Sequence, residues 1–329
     1  MHTPSTSRPQ AALVATVDEA GHTGDTMSKA GIAQKYIELL KSALLDELYI
    51  DNEARIILTV MAMLNQQRLT FEDLFHIRRQ AHLFEALQQS KRNGMVFFVS
   101  RAQDGTAKPD HSMRNYTELA HTMIGRKRLD NIQHCIETVI EENIPGDVIE
   151  TGIWRGGAAI FMRGVLAAHG VTDRIVWAAD SFEGVPPPSH PEDLGFDLSA
   201  RKYPFLAVSL DEVSDLFRKY GLLDDQVKFL KGWFKDTLPG APVESLSVLR
   251  LDGDLYESTM DALNPLYHKV SEGGFVIVDD YHSCPPCRRA VDEFRASHRI
   301  SDAMIAIDEQ SIFWRKTDRP QLRNEPGHE

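Results

Sequence analysis

Cysteine is scarce in this chain, and positive charge is outnumbered. The cysteines are Cys135, Cys284 and Cys287, an odd and sparse set that argues against a disulfide framework and predicts reduced thiols in the cytoplasm. Lysine and arginine total 36 against 48 aspartates and glutamates, a formal net charge of −12. That deficit argues against nucleic acid as a partner, which needs a basic face, and favours a solvated acidic surface or sites for cations. No run reaches the ~18 apolar residues of a membrane span, and the opening MHTPSTSRPQAALVATVDEAGHTGD has no apolar signal core. What remains is an ordinary globular composition, 42% hydrophobic and 26% charged. The 329 residues exceed the ~100–200 of one typical domain and leave room for a large α/β domain with an additional helical region.

The patterning divides the chain into four segments. Residues 1–30, rich in Ser, Thr, Pro, Ala and Gly, read as a disordered tail, and 319–329 as a C-terminal tail. Residues 31–120 read as a helical region that acts as a lid or in oligomerisation. Tyr36, Leu39, Leu40, Ala43, Leu44 and Leu48 mark one apolar face, and Ile56, Ile57, Val60, Met61 and Leu64 a second. Thr70 is placed to cap a third helix whose buried side runs from Phe71 and Phe75 to Leu87. Residues 95–99 fit a short strand, and 104–110 an exposed connector. From 121 to 318, apolar runs at 148–149, 175–179, 227–232, 246–251 and 275–278 alternate with amphipathic helices, and strand-like runs at 303–307 and 311–314 follow. Such alternation predicts a parallel sheet with helices on both faces. The proline-rich SFEGVPPPSHPEDLGFDLSARKYPF reads as a loop over the sheet edge, and Ser209 with Glu212 as a capping box opening the next helix.

The pivot is VIETGIWRGG at 148–157. An apolar strand ends in Glu150, and Gly152, Gly156 and Gly157 lead into the helical AAIFMRGVLAA. Glycine there accepts positive φ and lets a ligand approach the backbone, while the helix start offers unpaired N–H groups. The spacing E-x-G-x-x-x-G is not G-x-G-x-x-G, which disfavours a nicotinamide dehydrogenase. By itself the turn also fits a generic α/β connection, although it looks more like the first motif of S-adenosylmethionine-dependent methyltransferases. Asp180 ends the next strand, where an acid can accept both hydroxyls of a ribose. Asp252 with Asp254, and Asp279 with Asp280, end two strands expected to be central. If those strands are neighbours, the carboxylates repel unless a cation or a shared proton intervenes, and an all-oxygen set suits a hard divalent ion such as magnesium. The bland alternative is that single acids cap helices or face solvent. Cys284 and Cys287 form CPPC, but no second pair completes a zinc site.

Longer motifs carry a resemblance. HTMIGRKRLDNIQ, VIETGIWRGGAAIFMR, AADSFEGVPPP, LDGDLYESTMDAL and GGFVIVDDYHSCPPCRRAVDEFR, spanning about 121–314, together resemble the macrocin O-methyltransferase family, and 35–49 looks like its N-terminal helix. The resemblance implies an α/β, Rossmann-like class I methyltransferase fold with a mostly parallel sheet of seven strands. It also implies S-adenosylmethionine as donor, magnesium, a sugar hydroxyl of a glycosylated macrolide or aminocoumarin as acceptor, and a homodimer. Carried over by position, it makes Asp252, Asp279 and Asp280 the metal ligands and Asp254, or an acid very near it such as Asp252, the general base. The donor would lie against Glu150, Thr151, Gly152, Trp154, Gly156 and Asp252, with its ribose at Asp180 and its adenosine beside Ser181, Gly232, Trp233 and Phe234. Thr122 and Met123 would close over it. His282 is an alternative base or a surface residue beside the site, and Tyr256 and Tyr281 are candidates to line the acceptor pocket. The stretch 56–105 is longer than the family pattern, which leaves lid, acceptor size and assembly open. The expected chemistry is a hydroxyl activated by metal and carboxylate, attacking a methyl group in line. Two other functions fit the same donor: methylation of a phenol or catechol, and a non-catalytic donor-binding partner, which the presence of all four acids disfavours.

Overall fold

The computed structural model describes residues 28–93, 96–101, 107–113 and 120–317; the tails expected at 1–30 and 319–329 lie outside these apart from 28–30. The elements in order are α1 (Lys29–Leu44), α2 (Ile50–Leu64), α3 (Phe71–Phe75), α4 (Ala81–Asn93), β1 (Val96–Arg101), β2 (Ala107–Met113) and α5 (Gly125–Glu141). Then come β3 (Asp147–Thr151), α6 (Gly157–Ala168), β4 (Val176–Asp180), α7 (Leu210–Lys219), β5 (Val227–Lys231) and α8 (Phe234–Thr237). The chain continues through β6 (Leu246–Leu251), α9 (Tyr256–Leu266), β7 (Val270–Val278), α10 (Pro285–Ser297), β8 (Ile305–Ala306) and β9 (Ile312–Arg315).

Seven strands form one sheet in the order β5-β4-β3-β6-β7-β9-β8. The first five run parallel, and β9 pairs antiparallel with both β7 and β8. Because side chains alternate along a strand, the central strands feed two cores. Val148, Ala178, Val248 and Ile277 face a core built with α1, α5, α6 and α7. Ile149, Ala179, Leu249 and Val276 face a second with α9 and α10. The chain moves outward from β3 in one direction to β4 and β5, then returns to β6 on its other side. That reversal leaves a crevice at the carboxyl ends of β3 and β6.

The N-terminal region is not one unit. Ile37, Leu40 and Leu44 of α1 belong to the main core, and a Cβ at Gly164 of α6 would stand 2.2 Å from a Leu40 methyl carbon. By contrast, α2 and α4 close a small core of their own around Ala54, Ile57, Ile77, Leu83 and Leu87. The single helix expected from Thr70 is divided. Thr70 and Asp73 do form a capping box, but α3 ends at Phe75, where the Arg55 Nε takes the Leu74 carbonyl at 3.0 Å. Phe71 and Phe75, expected inside, are 75% and 63% exposed, and Leu39 is 57% exposed. Helical spacing identifies an apolar face but not how much of it a neighbour covers. Nor is 107–110 a connector: those residues lie in β2, which pairs antiparallel with β1 along one edge. Residues 104–106 lie outside the described residues.

Candidate active site at the carboxyl rim of the sheet

β6 and β7 are neighbours, so the acids that follow them meet. Asp252, Asp279 and Asp280 each offer a carboxylate oxygen within 4.8 Å of the other two. Asp279 and Asp280 are buried and Asp252 is half-buried. Like charges this close and this dry are tolerated only with counter-charge, and two buried arginines supply part of it. Arg250 projects from inside β6. Its Nη1 donates to Glu150 at 2.5 Å and to Asp252 at 2.8 Å, and its Nη2 donates to Asp279. Arg128 of α5 donates to the second Asp279 oxygen at 2.5 Å and to Asp308 at 2.7 Å. Burial, then the neighbouring Asp279, pushes Asp252 well above the usual carboxylate range, against the pull of Arg250. For Arg250, burial alone would lower the pKa, but the carboxylates of Asp279, Asp252 and Glu150 outweigh it and hold the group above the ordinary arginine value. Two guanidinium groups do not balance Glu150, Asp252, Asp279 and Asp280 when all are ionised. Excess negative charge and an all-oxygen donor set fit a hard divalent cation.

Asp254 sits in the left-handed region at φ 59°, an uncommon conformation for a non-glycine residue and one that surrounding contacts must hold. The Cys284 thiol donates to its carboxylate at 3.5 Å. His282 is exposed; its backbone N–H donates to the Gln310 carbonyl at 2.8 Å, and its ring packs edge-on against Tyr281.

The turn after β3 is pressed against the end of β6. Gly152 has φ 87°, and a Cβ there would lie 1.8 Å from the Asp252 carbonyl oxygen. No side chain fits. Asp180 accepts from the N–H groups of Ile153 at 2.8 Å and Phe182 at 2.7 Å, which joins the turns after β3 and β4. Burial raises the Glu150 pKa to about 7, even though Arg250 pulls it down. The segment carrying Thr122 lies across the start of α6, where a Cβ at Gly157 would meet the His121 carbonyl at 2.2 Å. His121 Nδ1 is 2.8 Å from the Tyr220 hydroxyl, and Arg155 donates to the Ala120 carbonyl at 3.0 Å.

Above these turns lies a cavity of about 550 Å³. Met123, Gly152, Trp154, Asp180, Ser181, Trp233, Phe234, Asp252 and Asp254 line it. Thr122, Glu150, Thr151, Gly156, Gly232, Asp279 and Asp280 are not among the residues that line it. The proline-rich loop after β4 does not simply cross the sheet edge: residues 184–189 and Leu198, Tyr203, Phe205 and Leu206 form a wall of the cavity. Tyr256 and Tyr281, candidates for that wall, are turned to α10 instead, because their hydroxyls donate to Glu293 at 2.7 Å and Asp292 at 2.6 Å.

A comparison with protein families matches residues 33–316 to the family described as Macrocin-O-methyltransferase. The chain belongs to the macrocin O-methyltransferase family. It is therefore an O-methyltransferase, and the family implies S-adenosylmethionine as the methyl donor. Among curated relatives of this macrocin O-methyltransferase family member is the demethyldecarbamoylnovobiocin O-methyltransferase of Streptomyces niveus, 58% identical over 212 residues, 62% of this chain and 79% of the relative. The mycinamicin III 3''-O-methyltransferase of Micromonospora griseorubida is 53% identical over 210 residues, 63% of this chain and 82% of the relative. The solved structure of the O-methyltransferase NovP matches with a TM-score of 0.67 and 42% identity, over 87% of this chain and all of that one (100%).

Sequence reasoning missed Arg250, Arg128 and the Cys284 contact. A signal existed for the first. An arginine in the LSVLRL strand, where Ser247 is the sole other polar residue and all six residues are buried, requires an acid partner. No comparable signal marks Arg128, whose helix presents several basic residues.

Proposed function

We propose that this macrocin O-methyltransferase family member moves the methyl group of S-adenosylmethionine to a sugar hydroxyl of a glycosylated natural product, with magnesium held by Asp252, Asp279 and Asp280. The convergence of those three strand-end carboxylates beside the glycine turn at Gly152 carries the reading. The acceptor class is supported by the relatives' names, one of which is a 4'-O-methyltransferase of a rhamnosyl-bearing tetracenomycin from Streptomyces olivaceus, 56% identical over 207 residues, 62% of this chain and 78% of the relative.

When bound, the donor would supply an electrophilic methyl group on a sulfonium, and the cation would supply Lewis acidity that lowers the pKa of a hydroxyl. The chain's own residues do the rest. Asp254, on the cavity wall, accepts the hydroxyl proton. Asp180 orients the ribose, and Trp154, Trp233 and Phe234 exclude water and hold donor and acceptor in line. Arg250 and Arg128 keep the acids from rotating away. No helix among the described residues is long and apolar enough to cross a membrane; three free cysteines support a reducing, cytoplasmic setting. Exposed apolar side chains on α1, α2 and α3, among them Leu39, Met63 and Phe71, support a homodimer.

The test offers labelled donor with glycosides and with catechols, with and without magnesium. Label is expected in a glycoside and is lost on chelation. Asp252→Ala or Asp280→Ala should lower kcat by about 10²-fold or more, while titration with S-adenosylhomocysteine shows donor binding largely intact. Full activity of either variant in chelator refutes the metal assignment, and transfer to catechols alone refutes the acceptor.

A further inference from the structure

The loop between β4 and α7 is a strap, and two of its contacts fasten it to neighbouring elements through a backbone group. Toward its end, the Trp154 indole N–H donates to the Phe205 carbonyl at 2.9 Å, which ties the strap to the turn after β3. Nearer its start, Asp193 closes a one-turn helix, Pro191–Asp193, and is 0% exposed. Its two carboxylate oxygens accept from the backbone N–H groups of Tyr256 at 2.7 Å and Glu257 at 3.1 Å. These are the first two N–H groups of α9, and Leu255, at the N-cap position, makes no side-chain cap. The helix that follows Asp252 and Asp254 therefore takes its cap from the strap. A buried carboxylate is costly without such donors, and unpaired N–H groups at a helix start need an acceptor, so each half of the contact requires the other. His190 adds to it by stacking on Tyr256 at 4.5 Å. The remaining ties to this part of the fold, the Ser189 hydroxyl donating to Glu257 and Glu192 paired with Arg289 at 2.6 Å, lie at the surface, where such contacts carry little.

We propose that Asp193 is a positioning residue for methyl transfer: it locks the strap wall of the cavity to the turn bearing Asp252 and Asp254, so one contact sets both acceptor fit and acid placement. The proposal rests on the catalytic reading of that turn. It predicts a division of labour. The turn after β3 has a second hold in Asp180, which takes the Ile153 and Phe182 N–H groups and does not involve Asp193, so donor binding depends on the lock less than acceptor turnover does.

Asp193→Ala, Asp193→Asn and Arg289→Ala test this by amide hydrogen exchange, S-adenosylhomocysteine titration and acceptor kinetics. In Asp193→Ala, exchange should rise together in 185–206 and 253–258. Its kcat should fall and its acceptor KM rise, by about tenfold combined, with donor Kd within about twofold. Asp193→Asn keeps one acceptor oxygen and should recover part of each loss, and Arg289→Ala should behave as wild type. Should Asp193→Ala not fold, Asp193→Asn is read for the same pattern at smaller amplitude. Exchange that rises in the strap alone, unchanged acceptor kinetics, or equal loss of donor and acceptor affinity overturns the proposal. A wild-type enzyme that methylates no glycoside sinks the proposed acceptor, whereas the exchange arm still decides the lock.

Discussion

At Gly152 a single hydrogen atom in place of a side chain lets two strands meet. Its φ of 87° disfavours other residues, and the Asp252 carbonyl occupies the place of a Cβ. Gly152→Ala should therefore cost about 2–4 kcal/mol, since strain and overpacking add, and should weaken donor binding. Denaturant unfolding and S-adenosylhomocysteine titration measure both; an alanine variant of wild-type stability would contradict the close approach. The need for glycine was legible in the chain, since a strand, an acid and a glycine announce a tight turn. What presses on it was not, because Asp252 is remote in sequence. The same divide separates the strand-end acids, visible as the ends of apolar runs, from Arg250, which joins Glu150, Asp252 and Asp279 across three strands.

Among elements, the short segment before α5 shows how position controls a titration. His121 lies between α6 and α7, and burial, then the charges of Arg155 and Lys219, push its pKa down to about 4 from 6.5. A depressed histidine is neutral when folded but takes up a proton when unfolded below about 6.5. The stability it contributes is thus complete above that pH and is lost as pH falls toward 4. Wild type should lose more thermal stability than His121→Gln between pH 6.5 and 4, and parallel curves for the two would count against the burial of a neutral imidazole. Local signals of element boundaries held where their cause was local, as with the capping boxes at Thr70 and Ser209. They failed where a distant group intervened: Arg55 ends α3, and β2 forms because β1 offers it a ladder.

At the scale of the whole molecule, α1 is part of the methyltransferase core, α2 and α4 close a small core of their own, and α1, α2 and α3 leave apolar side chains outward. If those faces meet in a homodimer, Leu39→Glu or Met63→Glu should shift sedimentation toward monomer with little loss of monomer fold. A wild type that sediments as monomer at micromolar concentration would end that proposal. The amino-acid sequence by itself determined the alternation of strands and helices, the rim at which the acids fall and the turns that need glycine, because periodicity, capping and backbone freedom act over a few residues. Only the tertiary structure decided which charges meet, which apolar faces stay uncovered and that Asp193 caps a helix 63 residues away. Those outcomes depend on how remote segments pack, and no local pattern records a distant partner.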